Sequence, residues 1–588
     1  MAEPNLNRSS PFVVGVSGHR DLDAGGLAAA RAAFAAFVAD LKRHLPNTEL
    51  RIVVGMAEGA DLLIARAALD LDIRVDAVLP MPLEHYAADF SPDTLATLQE
   101  LLRDPRVETV ELPDASATGR GPPFADDAAR NASYATLTAT LIRRSGLLLA
   151  IWDGESSLLP GGTADTVLRY VGARTEDNES VATLKFIHSN LEMDSADHLV
   201  YWIPAARADG PPVDATRQPC YLLGCGDNLL QVQPTMPALL ADQLHELDGY
   251  NRDFAELTGA GALPEPDSLL RGIPAALLPD DLGVLRGIDR QYGKADALAV
   301  HYQLRSNRLF GLFGVMTFTM GLAYLIYEKL TESRIVLLAY LAILLSSLGL
   351  YHLLQNRRWF AKHLTYRALA ETMRAKFYLT LAGVGQRVSA AEVLALSGIN
   401  RFHGFGWLGF VLKSVEASEA EAVVGPEAKA RRVHGVEEIW IGTQHRYFTA
   451  KVAALAEASR RVKLLRNTLF CVILLVIVTL FVFGEHMHHA DARLGIPLQN
   501  LMTFCMGFLA VLLGVWELHQ DKMATHELLW QYRNQLSHFA RARLQLSRTV
   551  SPTHRDEVLI ELGRDSLMES YLWTIHRYHR EHEPPAAH

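Results

Sequence analysis

The chain has 588 residues, 49% of them hydrophobic, and a formal net charge of −10. That length suits about three or four domains, and the negative balance argues against binding to a nucleic acid polymer, whose phosphates need a basic face. The opening stretch, MAEPNLNRSSPF, has no basic segment leading into an apolar one. No cleaved signal is therefore expected, and the N-terminal domain is expected to stay in the cytosol.

Taken in order, an apolar strand at 12–16 runs into Ser17, Gly18, His19, Arg20 and Asp21, and an Ala-rich helix follows near 27–44. A second strand at 50–54 meets the turn Gly55-Met56-Ala57-Glu58-Gly59-Ala60-Asp61, which opens another helix to about residue 70. A third strand at 74–79, a helix near 93–103 and a short strand at 107–112 come next. A polar loop with Gly119, Gly121, Pro122 and Pro123 leads to a helix over 126–144, then to an apolar strand at 146–151. That strand empties into Trp152-Asp153-Gly154, and Pro160-Gly161-Gly162-Thr163 opens a helix to residue 170. Late strands are expected at 199–204 and 221–223, and a closing helix at 236–257. Strands alternating with helices at this spacing predict an α/β domain, a Rossmann-like doubly wound parallel sheet.

In such sheets ligands sit beyond the carboxyl ends of the strands, where the strand order reverses. Three predicted strand ends carry glycine turns into helices, at 15–20, 55–61 and 152–163. Glycine lets backbone N–H groups approach an anion, and a helix N-terminus adds a favourable dipole. One such turn alone says little, because β–α turns use glycine for geometry anyway. Three at one edge, beside His19, Arg20, Asp61 and Asp153, point to a nucleotide-sized ligand.

Gly-Val-Ser-Gly-His-Arg at 15–20, Gly-Met-Ala-Glu-Gly-Ala-Asp at 55–61 and Ile-Trp-Asp-Gly…Gly-Gly-Thr-Ala-Asp-Thr-Val at 151–167 resemble the SLOG superfamily. That superfamily includes LOG phosphoribohydrolases, DprA-type proteins and the nucleotide-sensing region of TRP-melastatin channels. The resemblance covers roughly the first 260 residues. It implies a site for a nucleotide or an NAD-derived molecule, ADP-ribose-like or cyclic, with no cofactor required. Gly18, Gly161, Gly162 and Thr163 would cradle phosphate, with Arg20 as counter-charge. Asp61, Trp152 and Asp153 would contact ribose or base, and Gly15, Ser17, His19, Gly55, Glu58, Gly59, Gly154 and Asp165 complete the implied ligand-binding set. In one respect the chain departs from the hydrolytic LOG enzymes. Thr163-Ala164-Asp165-Thr166-Val167-Leu168 lacks their glutamate after the glycine turn, so a sensor is expected rather than a hydrolase, and no catalytic residue is assigned.

The second half has four charge-free apolar runs, at 309–327, 335–354, 468–484 and 494–516. At 1.5 Å per residue, runs of about 20 residues cross a ~30 Å hydrocarbon core. They predict an all-α membrane region with two transmembrane helical hairpins. Arg305, Arg308, Arg357, Arg358, Lys362, Arg460, Arg461, Lys463 and Arg466 flank the outer ends of the pairs. By the positive-inside rule both termini are cytoplasmic in a multi-pass inner-membrane protein. Asn307-Arg308-Leu309-Phe310 and Asn467-Thr468-Leu469-Phe470 begin the two hairpins, and Tyr366-Arg367 and Tyr532-Arg533 follow them, a pattern that suggests duplication. The expected domains are 1–262 for the sheet, 263–284 for a Gly/Pro/Ala-rich linker, 285–400 and 446–588 for two-span units, and 401–445 for a connecting segment.

A SLOG-like domain joined to two-helix units resembles SLOG–SLATT architectures, proposed effectors in bacterial anti-phage conflict. The spans hold no Asp, Glu, Lys or Arg, which disfavours an ion-coupled carrier and suits an apolar pore that opens by wetting. Four helices line no wide pore, so a homo-oligomer is expected, with a nucleotide signal and the lipid bilayer as partners. No metal site is expected. Cys220 and Cys225 lack zinc-knuckle spacing, Cys471 and Cys505 fall inside apolar runs, and His486-Met487-His488-His489 reads as a solvated turn. Two rivals stand beside the sensor: a membrane-tethered nucleotide hydrolase using Glu58, Asp153 or Asp165, and an anchored scaffold with an empty cleft.

Overall fold

The computed structural model describes residues 9–113, 124, 127–156, 159–172, 185–188, 197–210, 217–225, 229–279, 281–355, 357–389, 393–394, 404–416, 425–488, 497–523, 525–549 and 551–578. The glycine- and proline-bearing loop at 119–123 and His489 lie outside them. The chain divides into two compact units, Met1–Lys294 with Leu369–His434, and Ala295–Ala368 with Gly435–His588.

The first unit is built on a nine-stranded sheet in the order β4-β3-β2-β1-β5-β7-β8-β9-β6. Its strands are β1 (Phe12–Gly18), β2 (Leu50–Val54), β3 (Arg74–Leu79), β4 (Val107–Glu111), β5 (Leu147–Trp152), β6 (Lys185–His188), β7 (Val200–Pro204), β8 (Cys220–Gly224) and β9 (Leu229–Gln233). From β1 the chain steps through β2, β3 and β4 to one side, and β5 then starts on the other side of β1. The strand order therefore reverses between β1 and β5, where Gly18 lies level with Ile151. β1 and β5 read as unbroken apolar runs because helices cover both faces. Val13 packs with Leu137 and Leu141 of one helix on one face. On the other, a Cβ at Gly18 would come within 2.3 Å of Ala60 Cβ.

The sheet is mixed, not wholly parallel as the spacing predicts. β8 runs antiparallel to both β7 and β9. The cause is visible in the chain: only residues 225–228 separate β8 from β9, too few for the crossover that a parallel neighbour needs. β6 and β9 extend the sheet beyond the predicted strands, at 4 and 5 residues each.

The helices interleaved with these strands are α1 (Ala24–His44), α2 (Ala60–Asp70), α3 (Leu83–Tyr86), α4 (Pro92–Leu102), α5 (Asp127–Arg144) and α6 (Thr163–Tyr170), with α7 (Ala238–Gly259) after β9. Asp23 caps α1 by accepting from the Gly26 N–H. Although α1 is long and apolar enough to cross a membrane, its hydropathy comes largely from alanine. One face, with Ala30, Phe34, Phe37, Val38 and Leu41, is buried in this unit, the pattern of a surface helix on a core.

The returning segment belongs to this unit as well. Phe410 meets the Phe12 ring edge-on at 5.0 Å, and Trp407 lies 4.9 Å from Tyr250. Residues 404–416 thus pack on the base of β1 and on α7, where the sequence spacing suggests a connecting segment. Residues 401–403 and 417–424 lie outside the described set.

The division between the units falls inside α8 (Gly283–Lys329) and α10 (Trp359–Leu381). The second unit is helical. Besides parts of α8 and α10 it holds α9 (Arg334–Gln355), a helix at Thr443–His488, one at Leu498–Met523, and two more at Thr525–Arg548 and Pro552–Tyr578. Four of its helices have an apolar window long enough to cross a membrane, and none of those windows is buried. Ile335, Leu338, Val315 and Phe481 are 80%, 71%, 63% and 90% exposed, so large apolar faces are left without protein cover. Two glycines of these helices sit at close contacts. A Cβ at Gly321 would lie 2.7 Å from Val511 and one at Gly507 would lie 2.6 Å from Leu325, whereas Gly311, Gly314 and Gly514 face open space.

Candidate functional site

Three β–α turns meet at the strand-order reversal, and their backbones lock them together. The His19 N–H donates to the Ile151 carbonyl at 3.0 Å, tying the end of β1 to β5. The His19 carbonyl accepts from the Ala60 N–H at 3.1 Å, tying the same turn to the start of α2. Gly59, at φ +84°, lies so close that a Cβ there would sit 2.2 Å from the Arg20 carbonyl oxygen. No L side chain fits that position. The third turn joins through α5: Arg20 places its guanidinium 5.1 Å from the Tyr134 ring centroid, and a Cβ on Gly161 would meet the Tyr134 backbone carbon at 2.8 Å. The Tyr134 hydroxyl and Arg130 both donate to Asp89.

Much of the polar chemistry here is spent holding the turns. His19, 5% exposed, puts Nε2 at 3.2 Å from Asp153 Oδ2 and 3.2 Å from the Asp153 nitrogen. Asp153 also accepts from the Glu155 N–H at 3.0 Å and from Arg207 Nε at 3.2 Å. Burial pushes the Asp153 carboxyl up, but the His19 hydrogen bond, the Glu155 N–H and the nearby Arg207 outweigh it and hold it below the ordinary range. Asp165 is fully buried; it accepts from the Gly161 N–H at 3.0 Å and pairs with Arg169 at 3.0 Å. The Gly162 N–H is turned to the Leu159 carbonyl at 3.2 Å. Two N–H groups of the expected phosphate cradle are therefore already bonded within their own turn.

Trp152, expected to contact ribose or base, has no exposed surface and sits in the core with Trp202 and Tyr170. Its indole N–H donates to the Glu155 carbonyl at 2.9 Å. The side chain of the last strand residue points to the α6 face, under the turn rather than over it. Gly15 is a packing glycine: a Cβ there would lie 1.9 Å from Ser145 Oγ. Gly55 has the same character, facing Leu137 at 2.7 Å, and Gly154 takes φ +87° beside Arg217 and Trp202.

Asp61 differs from the other carboxylates. It stands in the first turn of α2, 6% exposed. Its Oδ2 accepts from the Ala57 N–H at 3.2 Å, while among the described residues Oδ1 has no hydrogen-bond partner. Burial pushes this carboxyl up to about 7, against the Ala57 N–H, the charge of Arg20 and the Gly18 N–H. An orphaned buried oxygen whose proton exchanges near neutral pH suits a group that donates to, or accepts from, a ligand. The exposed Arg20, the half-buried Glu58 and the buried Ser17 and Thr163 complete what the turns offer. Among the described residues no group of three His, Cys, Asp or Glu is placed to hold a metal ion.

The spacing of motifs does not reveal Tyr134, Asp89 or Arg207. Tyr134 lies on α5, distant in sequence from every turn, and Arg207 follows β7. A signal for Arg207 exists: β7 pairs with β5, so residues just past Pro204 fall beside Asp153. A cavity of about 430 Å³ opens elsewhere, at the other ends of the strands, lined by Glu49, Arg51 and Arg74. The switch-point turns form an open edge, so topology and side-chain chemistry, not enclosure, single them out. No family model matches the chain, and no curated protein matches it.

Proposed function

We propose that the chain is a membrane effector whose sheet unit senses a nucleotide or an NAD-derived molecule, and whose helical unit forms or gates a transmembrane pore in response. The observation that carries this is the meeting of three β–α turns at the strand-order reversal, linked through His19, Ala60, Asp153, Arg20 and Tyr134. Ligands of open α/β sheets bind at that place. Arg20 supplies a cation for phosphate, and Asp61 supplies the polar group that a ribose hydroxyl or base would pair with. The order of the motifs resembles the SLOG superfamily, which supports a nucleotide over other small ligands.

The four helices with unburied apolar windows support a lipid bilayer as partner. We read them as spans at 309–327, 335–354, 468–484 and 494–516, in two hairpins, with both termini cytoplasmic in an inner membrane. Too few helices are present for a wide pore, so the effector works as a homo-oligomer. A role in anti-phage defence follows from the resemblance to SLOG–SLATT proteins.

A hydrolase is favoured by one observation. Asp61, near pH 7 and without a partner on Oδ1, has the properties of a general acid–base group. Asp165 is spent on Gly161 and Arg169, and Asp153 on His19 and Arg207. Asp61 is thus the stronger catalytic candidate.

Thermal melting of the purified full chain against NAD, ADP-ribose, its cyclic forms and cyclic oligonucleotides tests both. A sensor shows saturable stabilisation with the ligand recovered intact. Consumption of the ligand, lost in Asp61→Asn, establishes the hydrolase. No shift across the panel contradicts both.

A further inference from the structure

The cavity of about 430 Å³ within the first unit lies at the N-terminal ends of β2 and β3, across the sheet from the switch point. We propose that it is a second, separate ligand site that binds a small phosphorylated metabolite. Its volume falls in the range of small-molecule sites. Its walls come from strand bases, from the stretch at 266–271 that reads in sequence as linker, and from the first turns of α8.

Charge selects the ligand. Five cationic side chains line the cavity, Arg51, Arg74, Arg271, Arg290 and Lys294, against three lining carboxylates; just outside the lining Arg51 also meets Asp76 at 3.5 Å and Glu108 at 3.7 Å, and Arg271 meets Glu265 at 3.1 Å. Two of the three lining carboxylates are already taken up in joining the linker to α8. Asp289 accepts from Ser268 Oγ at 2.8 Å and from the Leu269 N–H at 2.6 Å, and Asp267 accepts from the Tyr292 hydroxyl at 3.2 Å. The third, Glu49, stands between Arg51 at 3.6 Å and Arg74 at 3.7 Å. Among the described residues its Oε1 has no hydrogen-bond partner at normal length. Arg74, held only by a long contact to Glu49, and Arg290 on α8 present guanidinium forks that match the oxygens of a phosphate or diphosphate.

Lys294 is the second observation. It is 3% exposed, with Nζ at 2.5 Å from Asn251 Oδ1 and 3.3 Å from Ser10 Oγ, and 4.1 Å from the Tyr250 ring centroid. Ser10 and Asn251 are fixed by their own pair of hydrogen bonds, 2.8 and 3.0 Å, so the ammonium is held in place. Among the described residues no carboxylate pairs with it, and burial holds its pKa well below that of an ordinary lysine. A buried cation without an acid is costly. The amine escapes that cost by giving up its proton easily, and a dianion in the cavity would favour the protonated form and tie the linker to α8, the helix that continues into the first apolar run.

The test is titration of inorganic pyrophosphate and ADP into the purified full chain, followed by calorimetry and thermal melting. Saturable binding is expected, weakened at least tenfold by Arg74→Glu with Arg271→Glu, whose side chains are 48% and 68% exposed. Arg461→Glu, exposed on the helix at Thr443–His488 and outside both sites, leaves pyrophosphate binding unchanged. Absence of saturable binding overturns the proposal, as does binding that survives the double variant and is lost in Arg20→Glu at the switch point. Arg290→Glu repeats the comparison, with the same two outcomes, if the double variant does not fold. Failure of nucleotide sensing at the switch point does not affect this result, because the two sites are scored by different variants.

Discussion

The two edges of the sheet handle charge in opposite ways. At the switch point the polar groups are largely engaged with one another: His19 with Asp153, Asp153 with Arg207, Asp165 with Arg169. One carboxylate, Asp61, keeps an unbonded oxygen. At the opposite edge the cations lining the cavity outnumber the acids lining it, and among the described residues no acid pairs with the buried Lys294. Glycines matter at the first edge mainly for backbone shape; at the second, long side chains carry the chemistry. A glycine-rich turn therefore marks where a ligand can approach, while the unpaired groups mark what it must be made of.

The sharpest break in this contrast is Gly59→Val. Forcing an L side chain to φ +84° against the Arg20 carbonyl should cost at least ~4 kcal/mol, adding backbone strain to overpacking. The melting temperature of the first unit should fall by about 10 °C or more. An unchanged melt would mean that the turns are not locked as described.

Asp61→Asn is the next largest. The folded carboxyl titrates near 7 against an ordinary 3.8, so the native state holds the proton more tightly than the unfolded chain. Wild-type stability is then full below about pH 4 and declines as pH rises to about 7. The neutral amide removes that decline and should be more stable at pH 8, by on the order of 3 kcal/mol. Parallel pH–melting curves for the two proteins would contradict the buried, orphaned state of Asp61.

His19→Ala sharpens the contrast from the other side. Asp153 is held below the ordinary range by His19 and its neighbours, so its contribution is present above that range and lost as pH falls through it. The variant should lose about 1 kcal/mol at neutral pH and show a shallower acid limb. Smallest of all is Gly514→Ala, which faces open space and should change stability by less than ~0.5 kcal/mol. Gly321→Leu, against Val511, should be clearly worse by the same melt.

Strands covered on both faces are legible in sequence, since burial makes β1 and β5 nearly unbroken apolar runs and leaves β2 and β3 mostly apolar despite Arg51, Arg74 and Asp76. β6 and β9 are not, because a short strand near an edge carries four or five residues and mixes Lys, His and Gln into its pattern. The packing of Trp407 and Phe410 on the sheet is equally hidden. Their partners, Tyr250 and Phe12, are far away in the chain, and nothing local distinguishes an aromatic turn that docks from one that does not. At the site, the positions of the glycine turns are readable from spacing. Side-chain direction is not: Trp152 at a strand end has the same letters whether it faces core or ligand. Asp165 likewise reads as a ligand group until Gly161 and Arg169 are seen to occupy it.

The most direct measurement is the thermal shift of the full chain with ADP-ribose and the cyclic nucleotides, compared between wild type and Arg20→Glu. A saturable rise with at least one of them, reduced tenfold or more in apparent affinity by the charge reversal, is the expected result. A shift of equal size in both proteins, or none in either, would contradict a nucleotide sensor at the switch point.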